Sequence, residues 1–188
     1  MKVVCIVGMA GAGKSEVARR LERHGFRRIR FGDVTDEEVA RRGLPLNEET
    51  ERQVRETLRH EMGMAAYARL NLPRIEAALE RSNVVVDGLY SWEEYIFLKG
   101  HFGERLCLVA VWAPPPLRHA RLEARQERPL TADEAAARDR AEIENLHKGG
   151  PIAAADYLIT NQGSLEDLAA EVARLIRCTG GKSEAAGD

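Results

Sequence analysis

The sequence predicts an α/β fold in three layers: a five-stranded parallel sheet with helices on both faces. Three observations predict it. Five apolar runs of strand length occur at residues 2–7, 28–31, 83–87, 106–112 and 157–160, as expected of strands buried on both faces. The stretches between them are mostly helical in pattern, which crossovers between parallel strands require. The first run also leads into Gly8-Met9-Ala10-Gly11-Ala12-Gly13-Lys14-Ser15, a complete G-x-x-x-x-G-K-S string.

In chain order, Val3 to Val7 form the first strand, and Val17, Ala18 and Leu21 at helical spacing predict a helix beginning at Lys14. Strand, glycine turn and helix is the setting in which this string binds phosphate. Its backbone N–H groups wrap a polyphosphate, and the helix N-terminus adds favourable partial charge. Lys14 reaches the β- and γ-phosphates and the Ser15 hydroxyl ligates Mg²⁺. The alternative is a tight strand-to-helix turn that binds nothing.

The interval between the second and third runs exceeds what one crossover helix needs. Gly43-Leu44-Pro45-Leu46 ends one helix there, and Asn47 caps the next. Val54, Leu58 and Met62 give that helix an apolar stripe. Leu72-Pro73 is expected to bend or restart the helix that follows, which runs to about Arg81. A second long interval, 113–156, opens on Pro114-Pro115-Pro116 and closes on Gly149-Gly150-Pro151, punctuation that predicts a hinged insert. Met62 and Met64 read as core filler. Trp92 and Tyr95 read as packing, or as the wall of a base pocket. The expected organisation is one domain over 1–177, with inserts at about 34–81 and 114–150, and a disordered tail at 178–188.

Composition excludes several classes. A chain of 188 residues suits one domain. The 28 basic and 30 acidic residues are interspersed, with a net charge of −2, so no basic tract points to nucleic acid. Cys5 and Cys107 sit in strand-like runs and Cys178 in the expected tail. With no framework or metal spacing, they fit a reducing compartment. The five histidines show no paired spacing that would indicate zinc. No run reaches membrane-spanning length and no leader precedes the first strand, so the expected location is cytoplasmic.

Other candidates follow from position. Asp87 ends the third run before Gly88, where a carboxylate points into the crevice at the strand ends and holds Mg²⁺ directly or through water; the alternative is an Asp-Gly turn. Asp33, in Phe31-Gly32-Asp33, is either an acceptor-side base or a helix cap. Arg118, Arg121, Arg125 and Arg128 follow the fourth strand at spacings that share a helical face. They either clamp a moving phosphoryl group or pair with the nearby acids. Arg138-Asp139-Arg140 reads as a structural charge cluster. Asn161-Gln162-Gly163-Ser164 starts the last helix, with Asn161 or Ser164 as its cap.

With these residues in view, the chain resembles the adenylate kinase and dephospho-CoA kinase group of P-loop nucleotide kinases. It is most similar to the kinase-like, dephospho-CoA-kinase-like family. The likeness rests on Cys5-Ile6-Val7-Gly8 through Lys14-Ser15, Phe31-Gly32-Asp33-Val34, Arg42-Gly43-Leu44-Pro45-Leu46, Val86-Asp87-Gly88 and Ala155-Asp156-Tyr157-Leu158-Ile159-Thr160-Asn161. It implies the P-loop NTPase fold, with one insert holding an acceptor and the other acting as a lid. It implies ATP and Mg²⁺ as cofactors, and transfer of the γ-phosphoryl group to a nucleotide-like small-molecule acceptor. Gly8, Ala10, Gly11, Ala12, Gly13, Lys14, Ser15 and Glu16 would bind the donor, with Arg118. Adenine would lie near Asn161 and Gly163, and Ser15 and Asp87 would hold the metal. Lys14, Asp33, Arg121 and Arg125 would act on the transferring group. Two readings stand beside the nucleoside monophosphate kinase: a dephospho-CoA kinase with Asp33 as base, and an adenylate-kinase-like ATPase switch acting on a protein or ribosomal partner. The chain departs from the group at Asp87-Gly88-Leu89-Tyr90, where relatives carry arginine at the position of Tyr90. Either the acceptor differs from theirs, or another arginine such as Arg41, Arg42, Arg55 or Arg59 substitutes. It also lacks the Asp-x-Asp of standard dephospho-CoA kinases, since Asp33-Val34-Thr35 keeps only the first acid.

Overall fold

The structure, a computed structural model, describes residues 1–126 and 128–179. Its sheet comprises β1 (Val3–Val7), β2 (Arg27–Arg30), β3 (Val84–Asp87), β4 (Leu106–Trp112) and β5 (Tyr157–Thr160), all parallel and ordered β2-β3-β1-β4-β5. The helices are α1 (Lys14–Arg23), α2 (Asp33–Arg41), α3 (Glu48–Met62), α4 (Ala66–Leu79), α5 (Trp92–Phe102), α6 (Pro115–Glu123), α7 (Ala132–Glu144), α8 (Gly149–Ala153) and α9 (Leu165–Thr179).

Strand residues alternate between two cores, as a pleated chain requires. Val3, Cys5, Val7, Val84, Val86 and Leu108 face α4 and α5. Val4, Ile6, Val85, Val109 and Val111 face α1 and α9. All of these are buried, and each apolar side chain removed from water contributes about 1.5–3 kcal/mol. The three central strands are therefore continuous apolar runs. β2 is an edge strand and reads differently: of Arg27-Arg28-Ile29-Arg30 only Ile29 is buried. Charge on an edge strand discourages pairing with another chain.

Several local expectations change. Pro73 lies inside an unbroken α4 rather than restarting it. Its lost N–H costs one helical hydrogen bond, but Ile75 beyond it is fully buried in the core, and Asn71 Nδ2 donates to Tyr67 O at 3.0 Å. Gly149-Gly150-Pro151 lies in a helix, α8, with Gly150 close against the Trp92 ring. Pro115 and Pro116 occupy the first turn of α6, where a missing N–H costs nothing. Met62 ends α3 with 38% exposure and is not core filler. Cys178 belongs to α9, which continues to Thr179, so the first two residues of the expected tail are helical. The remainder, 180–188, lies outside the described residues. Asn47 caps α3 in a reciprocal box with Thr50, and Ser164 does the same for α9 with Asp167.

Candidate active site

The loop after β1 meets the N-terminus of α1 at the centre of the sheet, beside the point where strand order reverses. Two of its glycines are required by geometry. Gly11 has φ +77° and Gly13 φ +100°, in the left-handed region. A Cβ on Gly11 would lie 2.5 Å from Arg118 O, and one on Gly13 would collide with the Asn161 amide. Gly13 precedes α1 with no side-chain cap, leaving the first N–H groups of the helix for an anion. Lys14 Nζ donates to Gly8 O at 2.8 Å and Met9 O at 3.0 Å. Burial, reinforced by Lys148, lowers its pKa to about 7.

Side chains remote in sequence brace this loop. Asn161 Nδ2 donates to Ala12 O at 2.9 Å. Arg118, 5% exposed, donates to Ala10 O and Ala113 O and forms a two-pronged pair with Asp139 at 2.7 Å. Its guanidinium is thus spent on the loop and on α7 and lines neither cavity described below. Asp139 ties the Arg138-Asp139-Arg140 cluster to α6, also meeting His119 at 2.9 Å.

The Ser15 hydroxyl donates to Asp87 Oδ1 at 3.4 Å. Asp87, 6% exposed, gives its other oxygen to Arg28, whose Nε and Nη2 donate at 3.1 and 2.5 Å. One carboxylate oxygen is therefore fixed by an arginine fork while the second faces the serine. A hydroxyl and a carboxylate oxygen form a hard donor set suited to Mg²⁺, so the residues fit that ion.

A cavity of 1530 Å³ opens from Ser15 towards α2, α3 and α7. Arg52, Arg55 and Arg59 line it at spacings of three and four on α3. Arg59 stacks 5.0 Å from the Tyr67 ring centroid, and its Nε is buried without a partner. Tyr67 accepts or donates a 2.6 Å hydrogen bond with Thr35 and meets Tyr90 edge-on at 6.0 Å. Of the four proposed substitutes for the cation absent at Tyr90, Arg55 and Arg59 line this cavity, Arg55 paired with Glu48 and Glu51, while Arg41 and Arg42 are both paired with Glu38 outside it. Arg125 lines the opposite wall, its pKa lowered by burial and by Arg138. Arg128 reaches across to Glu51 on α3 at 2.9 and 2.6 Å. Asp33 opens α2 without capping it and pairs with Arg30 at 3.2 Å, outside the lining. Asp36, one turn on, is the acid of α2 that does line the cavity.

A second cavity, of 480 Å³, lies behind the loop. Gly13, Glu16, Arg121, Asn161, Gly163 and Ser164 line it. Arg121 Nη1 is buried without a partner. Trp92 and Tyr95 pack on each other at 5.3 Å and line neither cavity.

Four participants were absent from the sequence reading: Arg28, Tyr67, Glu142 and Lys148. Arg28 had one legible signal, a second strand carrying three arginines. Lys148 and Glu142 come from the far end of the second insert and meet the loop only through tertiary packing. Lys148 Nζ lies 2.8 Å from Glu142 Oε2.

The AAA domain family matches residues 4–145. A UPF0200 protein of Thermococcus kodakarensis is 39% identical over 178 residues, covering 93% of this chain and 96% of its own length. A UPF0200 protein of Aeropyrum pernix is 41% identical over 177 residues, covering 93% and 92%. Among solved structures, shikimate kinase from Bacteroides thetaiotaomicron superposes with a TM-score of 0.62 at 16% identity, covering 95% and 98% of the two chains. Dephospho-CoA kinase from Campylobacter jejuni gives 0.55 at 17% identity, covering 95% and 97%. These likenesses show a P-loop fold shared with kinases.

Proposed function

This chain belongs to the UPF0200 family and carries an AAA domain, and we propose that it is an ATP- and Mg²⁺-dependent phosphotransferase acting on a nucleotide-like acceptor. One observation carries the reading: the phosphate loop, with Lys14 and the Ser15–Asp87 pair, sits at the mouth of an arginine-lined cavity on the acceptor side of the sheet. A hydrolase needs only the first half of that arrangement.

In this reading Lys14 exchanges its two loop carbonyls for donor phosphate oxygens. The unpaired N–H groups at the start of α1 hold the same phosphates without reorganisation. Ser15 and Asp87 would hold Mg²⁺, which would supply charge neutralisation for the donor phosphates. Arg28 pairs with Asp87 and fixes which of its oxygens faces the serine. The 480 Å³ cavity takes the donor base, with Arg121 over it and the Asn161–Ser164 loop along its edge. The acceptor enters the large cavity. Its anionic group meets Arg59 and Arg55, and its ring lies against Tyr67 and Tyr90. Arg125 approaches the transferring group from the opposite wall. The position of Asp33 favours an acceptor whose attacking oxygen is already anionic over a ribose hydroxyl that needs a base.

The test is incubation with Mg-ATP and a panel of ribo- and deoxyribonucleoside monophosphates and dephospho-CoA, with products separated by ion exchange. A phosphorylated acceptor that disappears in Lys14→Ala supports the reading. ATP consumption that is independent of every acceptor contradicts it.

A further inference from the structure

Glu142, near the end of α7, terminates among cations. Its Oε2 lies 2.8 Å from Lys148 Nζ and accepts a 3.2 Å hydrogen bond from Ala10 N in the phosphate loop. Its Oε1 accepts from Arg138 Nε at 3.4 Å. Burial pushes this carboxyl up, yet Lys148 and Lys14 hold it below the ordinary range. A loop N–H, a lysine and an arginine around one oxyanion are the groups that bind a phosphate. Here a carboxylate on the wall of the large cavity holds that place.

Lys148 is 1% exposed and sits 5.5 Å from the Tyr90 ring centroid. A buried ammonium persists only with a close counter-anion, and Glu142 is the ion-pair partner the structure gives it.

We propose that Lys148 binds the terminal phosphoryl group of the donor, and that Glu142 is its internal counter-anion, displaced when a triphosphate enters. This rests on the phosphotransferase reading of the same site and extends it to two residues outside the sequence motifs. The γ-phosphate takes over the Ala10 N–H and Lys148, while Glu142 keeps Arg138. A diphosphate does not reach that position and leaves the Glu142–Lys148 pair intact. The pair therefore discriminates substrate donor from product.

The experiment is calorimetric titration of Mg-bound β,γ-imido-ATP and Mg-ADP into four proteins: wild type, Glu142→Gln, Lys148→Met and the double variant. Thermal melts report folding. The readout is the ratio of the two affinities, which a merely structural role would not move. Glu142→Gln removes the competing charge and is expected to raise the triphosphate preference by about tenfold or more, the scale of one charge-assisted hydrogen bond. Lys148→Met is expected to lower it by a similar factor. The double variant buries no unpaired charge, so it remains a folded test if either single variant melts; its preference falls below wild type. An unchanged ratio in the folded variants overturns the proposal. Failure of the two readings is separable. Altered ratios without transfer to any acceptor keep this inference and sink the phosphotransferase. Transfer with unaltered ratios does the reverse.

Discussion

Lys14 shows how far one residue's chemistry is set by what surrounds it. The ammonium is buried against loop carbonyls with Lys148 nearby, and its pKa falls to about 7. A polyphosphate reverses that shift, so nucleotide binding above pH 7 takes up a proton. Affinity is expected to fall as pH rises from 7 towards 9, and calorimetry in buffers of different ionisation enthalpy reads the proton directly. Glu94 has the opposite dependence. It is fully buried, and burial lifts its pKa to about 7 although it accepts from Tyr90 N. A carboxyl whose folded pKa exceeds its unfolded value stabilises the fold fully below about pH 4.5 and loses that contribution as pH rises through 7. Denaturant melts of wild type are expected to weaken across that window, and those of Glu94→Gln to weaken less. Arg118 and Arg121, three residues apart, have different fates. Removing Arg118 leaves Asp139 with His119 alone and strips two loop carbonyls of their donor, and is expected to cost about 3 kcal/mol, the scale for breaking a buried pair. Arg121→Ala is expected to leave the melting temperature near that of wild type and to weaken ATP binding. Equal destabilisation of both would contradict these assignments.

At the scale of elements, the sequence was readable wherever local chemistry decides. The five strands appear within one residue of their expected bounds, most plainly the three central ones, because parallel strands buried on both faces are apolar throughout. The α3 cap was visible because Asn47 acts on its own helix. Asn47→Ala is expected to cost about 1 kcal/mol in denaturant melts while nucleotide affinity stays constant. Where tertiary packing overrides local preference, the sequence misled. Pro73 stays inside α4 because Ile75 beyond it is anchored in the core. Gly149-Gly150-Pro151 becomes α8 because Gly150 allows close approach to Trp92. The same limit applies to side chains. The spacing of Arg118, Arg121, Arg125 and Arg128 places them on one segment, but their distribution among the loop, the smaller cavity, the larger cavity and Glu51 depends on where α7 and α3 pack.

The whole molecule is a five-stranded parallel sheet whose central strand leads into the glycine-rich loop, with helices on both faces. The sheet and the loop were legible because they rest on periodicity and one specific motif. The Lys148–Glu142 pair was not, because its members reach the loop from more than 130 residues away in sequence. The central claim is that the cavity beside the loop receives a phosphoryl group, and ³¹P NMR of the γ-phosphorus tests it most directly. The protein is incubated with Mg-ATP and the acceptor panel, and the destination of that phosphorus is followed. The account expects a new phosphomonoester or phosphoanhydride resonance that depends on acceptor and is absent with Lys14→Ala. Accumulation of inorganic phosphate alone, at the same rate with and without acceptor, would contradict it.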